Sequence, residues 1–264
     1  MMELKNKTVW ITGASSGIGE ALAYEMARAG ATIILSARSE RELQRVCAAC
    51  MFAEKHCIVP LDLAKHHELE DTVTRIWETH GPIDILINNA GLSQRYLVAD
   101  SNFELDKRIM DTNFLGTIAL TRPVLKRMLL RNSGQIAVVS SMLGLYGIQT
   151  RAAYSASKHA LKGYFESLRN ELINTDVNIT LIYPGYINTQ ITQNALLADG
   201  TSFGRMDNAH AKGILPAECA QKIVKAIEHK KAVVFIAGAK ERLGAFMARF
   251  FPGLFRYLSP RFEV

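Results

Sequence analysis

Short apolar runs alternate along the chain with longer stretches in which apolar residues recur every three or four positions. The runs Thr8–Thr12, Thr32–Ser36, Cys57–Leu61, Ile83–Asn88, Gln135–Ser140, Asn178–Tyr183 and Val233–Ala237 are mostly apolar. That is the pattern of strands covered on both faces. Helical patterns span Glu20–Ala29, Glu40–Cys50, Glu68–His80, Phe103–Arg131, Ala153–Thr175 and Pro216–Lys230. Strand followed by helix, repeated in this way, predicts an α/β class protein: a doubly wound, parallel, seven-stranded sheet, the Rossmann arrangement. No Pro/Gly/Ser-rich linker and no solenoid repeat divides residues 1–264, so one domain is expected. Residues 186–213 lack strand periodicity and are too long for a simple connection, which reads as a substrate loop. An apolar tail, 239–264, follows the last strand.

Composition changes this picture little. The chain is 48% hydrophobic and 21% charged, with a formal net charge of +6. Its Lys and Arg residues are dispersed among acids, which argues against a nucleic-acid surface. An anionic cofactor or an anionic membrane surface accounts for the excess. Met1–Lys7 lead straight into the first strand without a signal-like apolar region, and no run of about eighteen apolar residues occurs. Cys47 and Cys50 form a CxxC pair with His56 and Cys57 close behind. A position on the helix after the second strand predicts apolar packing and no metal site. The expected address is a reducing cytoplasm.

The chemistry begins after the first strand, with Thr12-Gly13-Ala14-Ser15-Ser16-Gly17-Ile18-Gly19 and then a helix. Gly13 permits a sharp turn, Gly17 a close approach of backbone to a pyrophosphate, and Gly19 tight packing of helix on sheet. Ser15, Ser16 and Ile18 complete a cradle whose free N–H groups face an anion. The second strand ends in Ser36-Ala37-Arg38, where an acid would select NAD(H) by binding its ribose. With no acid there, and with the guanidinium of Arg38 able to meet a 2′-phosphate, NADP(H) is the favoured cofactor. Arg38 would otherwise pair with Glu40 or Glu42. Further on, Tyr154 and Lys158 stand at i and i+4 on one helix face. A fixed ammonium there would lower the phenol pKa toward the range useful for acid/base work.

Asn88-Asn89-Ala90-Gly91 follows the fourth strand, Asp111-Thr112-Asn113-Phe114-Leu115-Gly116 lies in a helix, and Ser140-Ser141 closes the fifth strand. Pro184-Gly185 and Thr189 follow the sixth. Together with the glycine turn, these motifs resemble the short-chain dehydrogenase/reductase family in its one-domain form, over about Lys5 to Gly238. The segments Ser157-Lys158-His159-Ala160 and Pro184-Gly185-Tyr186-Ile187 look closest to its hydroxysteroid-dehydrogenase-like branch. The resemblance implies that Tyr154 donates or removes the alcohol proton and that Lys158 lowers its pKa and binds the nicotinamide ribose. It implies that Ser141, with Ser140 as competitor, polarises the substrate oxygen, and that Asn113 holds a water linking Lys158 to solvent. By the same likeness Asp62 meets adenine, Asn89 and Gly91 line the cofactor channel, and Ile187 and Thr189 meet the carboxamide. The competing readings are that Asp62 caps a helix and that Asn89-Ala90-Gly91 only stabilises the sheet. Dimers or tetramers through the helices around Phe103–Arg131 and Ala153–Thr175 are implied as well.

Leu92, Tyr96, Leu143, Tyr146, Ile148, Tyr186, Ile191, Ala195 and Leu196 are expected to border the nicotinamide, with no Arg or Lys among them. A small hydrophobic alcohol or carbonyl substrate fits such a wall. The expected activity is NADP(H)-dependent interconversion of an alcohol and a ketone or aldehyde. The alternative is a cofactor-binding regulatory or scaffold protein, which missing catalytic residues would favour; Ser, Tyr and Lys are all present. In the tail, Phe246, Met247, Phe250, Phe251, Leu254, Phe255, Tyr257 and Leu258 crowd among Arg249, Arg256 and Arg261, interrupted by Pro252-Gly253. Two short amphipathic pieces are expected, covering a subunit interface or the substrate loop, or else contacting a membrane surface peripherally.

Overall fold

The computed structural model describes residues 2–261. Met1 and the last three positions of the predicted tail, 262–264, lie outside the described residues, as does the side chain of Arg261. Seven strands, β1 Thr8–Thr12, β2 Thr32–Ser36, β3 Cys57–Ile58, β4 Ile85–Asn88, β5 Gly134–Val139, β6 Val177–Pro184 and β7 Val233–Ile236, pair in the order β3-β2-β1-β4-β5-β6-β7. Every pairing is parallel. The helices are α1 Gly17–Arg28, α2 Glu40–Ala49, α3 Leu69–His80, α4 Phe103–Met110, α5 Gly116–Leu130, α6 Ala152–Glu171, α7 Asn208–Ala211, α8 Pro216–Glu228, α9 Ala239–Phe250 and α10 Pro252–Leu258.

Alternation along each strand feeds two cores. Val9, Ile11, Ile33, Leu35, Ile85 and Ile87 pack with Leu22, Met26, Leu43 and Ile223 of α1, α2 and α8. Trp10, Ile34, Leu86, Ile136 and Val138 pack on the other face with Val73, Leu120, Val124 and Phe165 of α3, α5 and α6. Two apolar faces per strand explain why the runs read as continuous rather than alternating. Cys50 belongs to the first core, and burial pushes its thiol up to about 11.

Two elements differ most from expectation. The strand expected over Cys57–Leu61 pairs formally over Cys57–Ile58 only, although Val59 N–H and Leu61 N–H still donate to Leu35 and Ala37 at 2.8 and 3.0 Å. Pro60 between them has no N–H, a cost tolerated on an edge strand. The helix expected over Phe103–Arg131 is broken by one π turn, Asp111–Leu115, into α4 and α5. Such turns accommodate one extra residue and recur at functional sites. Here the turn carries Asn113 to full burial beside the sheet.

Candidate active site

The strand order reverses between β1 and β4, whose chains then leave toward opposite sides. A crevice opens at that point in parallel sheets. In this protein a cleft of about 1140 Å³ occupies it, bordered by the glycine turn, the end of β2, the 89–93 segment, the start of α6, the 186–210 loop and part of α9.

At one end lies an anion cradle. Gly13 and Gly17 adopt φ of 65° and 59°, and a Cβ on Gly13 would stand 2.8 Å from Ala90 Cα. A Cβ on Gly19 would fall on the Gly13 carbonyl oxygen. Ser16 precedes α1 without a side-chain capping bond, so its hydroxyl does not occupy the first-turn N–H groups. Ser15, Ser16, Gly17 and Ile18 all border the cleft. The backbone therefore fits a pyrophosphate, with space that any larger residue at Gly13 would remove. Asn89 both borders the cleft and ties β4 to β1: its Nδ2 donates to the Thr12 and Gly13 carbonyls at 3.1 and 3.2 Å.

Arg38 is exposed on the cleft rim. Glu42 pairs instead with Arg45 at 2.8 Å, and Glu40 accepts from Gln44 at 3.3 Å. Among the described residues neither acid engages Arg38. Asp62 borders the cleft and also holds a turn, accepting from Ala64 N–H at 3.0 Å. Ile187 is buried along the cleft, and Thr189 packs against Gly17.

The opposite end carries the reactive groups. Tyr154 and Lys158 lie one turn apart on α6, with Lys158 Nζ 5.7 Å from the phenol ring centroid. Lys158 Nζ donates to Val139 O at 2.9 Å. The two serines separate as strand alternation requires: Ser140 Oγ donates back to Lys158 O at 3.1 Å, while Ser141 Oγ accepts from Leu143 N–H at 3.1 Å and stands close enough to the Tyr154 phenol to favour its charged form. Asn113 Nδ2 donates to Leu92 O at 2.9 Å and Ser157 Oγ at 3.0 Å, and its Oδ1 accepts from Leu92 N–H at 2.7 Å. Both its side-chain N–H groups are thus engaged, so a water there would be held by an acceptor, the second lone pair of Oδ1 or the backbone carbonyl, which already takes Thr117 Oγ1 at 2.9 Å. Gly91 keeps this corner open, since a Cβ there would lie 3.4 Å from both Asn113 Oδ1 and Lys158 Nζ.

Electrostatics differ from expectation. Burial raises the Tyr154 phenol above its usual range, opposed by the Ser141 hydrogen bond and the charge of Arg151. Burial also pushes the Lys158 ammonium down to about 8. Lys158 does not pull the phenol below its ordinary value here, because both groups are withdrawn from water and the charged form of each is disfavoured. A neutral phenol beside a substrate oxygen is a proton donor.

Two expected wall residues stand elsewhere. Tyr96 is buried with its hydroxyl on Asp106 at 2.9 Å, and Ala195 is buried in the loop; neither borders the cleft. The wall is also not free of cations, since Arg95 and Arg151 both border it with Asp207 and His210. Gln94 was invisible to motif reasoning. Its Oε1 accepts the Tyr154 N–H at 2.9 Å, satisfying a first-turn donor that Arg151, the N-cap residue, leaves uncapped. The tail folds as the two expected pieces, split at Pro252. Leu243, Gly244, Met247 and Leu258 form a cleft wall, and Phe255 meets Tyr146 edge-on at 5.4 Å. Its outer side leaves Phe246, Phe250, Phe251, Leu254 and Tyr257 exposed.

Comparison with known proteins agrees with this geometry. The sequence profile of the short chain dehydrogenase family matches residues 7–199. A Drosophila melanogaster protein named dehydrogenase/reductase SDR family protein 7-like is 39% identical, covering 99% of this chain and 82% of its own. The Bos taurus dehydrogenase/reductase SDR family member 7B is 37% identical, covering 96% of this chain and 80% of its own. A short-chain dehydrogenase structure from Streptomyces avermitilis is similar with a TM-score of 0.80 and 25% identity, covering 96% of this chain and 94% of that one. A short chain dehydrogenase/reductase from Burkholderia phymatum, solved in complex with NAD, is similar in fold with a TM-score of 0.80 and 22% identity, covering 97% and 94%.

Proposed function

This chain belongs to the short-chain dehydrogenase/reductase family, and from that premise we propose that it is an NADP(H)-dependent oxidoreductase that interconverts an alcohol and a ketone or aldehyde on a largely hydrophobic substrate. The observation that carries the proposal is the convergence of Ser141 and Lys158 on a buried Tyr154, in the same cleft as the glycine cradle. When bound, the dinucleotide supplies the hydride that reaches the carbonyl carbon. Tyr154 gives its phenolic proton to the carbonyl oxygen in reduction, and in oxidation removes the alcohol proton. Ser141 donates a hydrogen bond to the oxygen as negative charge develops on it. Lys158 holds ribose hydroxyls, and Asn113 keeps Leu92 and Ser157 in register around it. The exposed Arg38, unengaged by Glu40 or Glu42 among the described residues, supports NADP(H) over NAD(H).

The proposal extends to a homodimer or homotetramer through α4, α5 and α6, where Phe103 and Leu130 are 76% and 89% exposed. It also extends to a cytoplasmic address with the outer face of α9 and α10 resting on a membrane surface. The activity test is a panel of hydrophobic ketones and alcohols, followed by nicotinamide absorbance with each cofactor. Turnover with NADPH exceeding that with NADH is expected; equal use of both removes the NADP(H) assignment, and turnover of no compound removes the enzyme assignment.

A further inference from the structure

The substrate end of the cleft contains a charge that its surroundings do not explain. Arg151 is the N-cap residue of α6, and it is only 5% exposed. N-caps favour Ser, Thr, Asp or Asn, and the positive end of a helix dipole repels a cation. Its side chain makes no capping bond, and its Nη1 donates to Thr150 O and Oγ1 at 3.4 and 2.8 Å. Among the described residues no carboxylate forms an ion pair with it. The acid nearest in role, Asp207, is already shared: it accepts from Arg95 Nη2 at 3.0 Å and faces His210 Nδ1 at 2.9 Å. Glu241, also on the rim, takes the Tyr186 N–H at 3.3 Å. Burial, with repulsion from Arg95 behind it, pulls the guanidinium of Arg151 down to about 10. A buried cation at a helix N-terminus, beside a second cation and without its own carboxylate, is unfavourable in three ways. An anion in the cleft would relieve all three.

We propose that Arg151 is a substrate-binding residue that pairs with an oxyanion, carboxylate or phosphate, carried by the carbonyl substrate close to its reacting carbon. The substrate is then amphiphilic, with its charged head on Arg151 and its apolar body along Leu143, Ile148, Leu196, Leu243 and Met247. The inference rests on the carbonyl-reductase reading of the cleft and narrows it. Arg151 stands three residues before Tyr154, so the head group binds one helical turn from the proton donor.

The test compares 4-oxododecanoate with its methyl ester, and 1-hydroxy-2-dodecanone phosphate with the free hydroxyketone, each with NADPH. Each anion is expected to exceed its neutral partner by about tenfold or more in kcat/KM, mainly through KM, and the stronger of the two identifies the head group. Arg151→Met should bring both anion-to-neutral ratios close to one, and Arg151→Lys should restore part of the difference. A second measurement needs no turnover: decanoate or decyl phosphate, but not decanol, should raise the Tm of the unmodified protein and leave that of Arg151→Met unchanged. Neutral compounds used as well as both anions, or ratios and Tm shifts unaltered in Arg151→Met, overturn the proposal. If no ketone is reduced, the enzyme reading fails, while the Tm comparison still decides whether the anion site exists. If Arg151→Met does not fold, Arg151→Lys and the unmodified protein's own ratios decide the matter.

Discussion

Tyr154 and Lys158 share one buried corner, yet withdrawal from water acts on them in opposite directions. It raises the phenol above its usual range and brings the ammonium down to about 8, so the charged form of each is disfavoured. The lysine's folded value is depressed, so between about 8 and its ordinary value the unfolded chain binds the extra proton. Stability contributed by this group therefore rises with pH across that window, and the full penalty of burying the ammonium is present below it. Cofactor binding should show the reverse trend. NADPH affinity is expected to be highest below pH 8 and to weaken as Lys158 loses its charge, with a fluorescence titration of Lys158→Met giving a weaker and flatter profile. An unmodified protein whose affinity does not change between pH 7 and 9 would contradict this. Tyr154→Phe should reduce turnover by about 10²–10⁴-fold, the usual worth of a positioned proton donor, while NADPH affinity stays the same. At this scale the i, i+4 spacing of Tyr154 and Lys158 is legible in the sequence because it lies within one helix. The choice between Ser140 and Ser141 is not, since it depends on which strand face meets the cleft. Gln94 is less legible still: its place comes from a loop that folds across the start of α6, and no local pattern announces that contact.

The elements that matter most are the two strand-to-helix turns on the β1 side of the switch point. The β1–α1 turn requires positive φ at Gly13, where an added Cβ would stand 2.8 Å from Ala90 Cα. Gly13→Ala should therefore cost about 1–3 kcal/mol in stability from backbone strain alone, visible in urea denaturation, and should weaken cofactor binding together with it. At the β2–α2 junction Arg38 is exposed and Glu40 and Glu42 are engaged elsewhere. Arg38→Asp should lose roughly 1.5–3 kcal/mol of charge-assisted hydrogen bonding to the 2′-phosphate, narrowing or inverting the NADPH preference by about 10- to 150-fold in Kd ratio. A ratio unmoved by this change would mean that Arg38 does not read the phosphate. Strands β1 and β2 match their expected limits because continuous Val/Ile/Leu runs mark a doubly covered sheet. The π turn at Asp111–Leu115 escapes sequence reading because one extra residue barely disturbs a helical pattern. Yet that turn delivers Asn113 to Leu92 and Ser157.

On the scale of the whole molecule, one parallel sheet carries the glycine cradle at the middle and the Ser141, Tyr154 and Lys158 group to one side, and the tail borders that end of the cleft. That tail was readable as two amphipathic pieces, with cover over the substrate loop as one expected role, but which residues line the cleft was not, because Leu243, Met247 and Leu258 are brought there by the docking of β7 on β6. Its other side presents Phe246, Phe250 and Phe251, each more than half exposed. Among the described residues no helix is long and apolar enough to cross a membrane. The full chain is expected to co-sediment with anionic vesicles, and truncation after Gly238 or the pair Phe246→Asp and Phe250→Asp to lower the bound fraction severalfold. Equal binding by all forms would assign these aromatics to contacts between subunits. The most direct test of the central claim uses NADPH deuterated at the nicotinamide C4, each face in turn, with a ketone that the protein turns over. The account predicts that one face delivers deuterium to the carbinol carbon of the product, and that Tyr154→Phe nearly abolishes its formation at unchanged NADPH affinity. Product carrying no deuterium from either face, or formed at a near-normal rate by Tyr154→Phe, would contradict it.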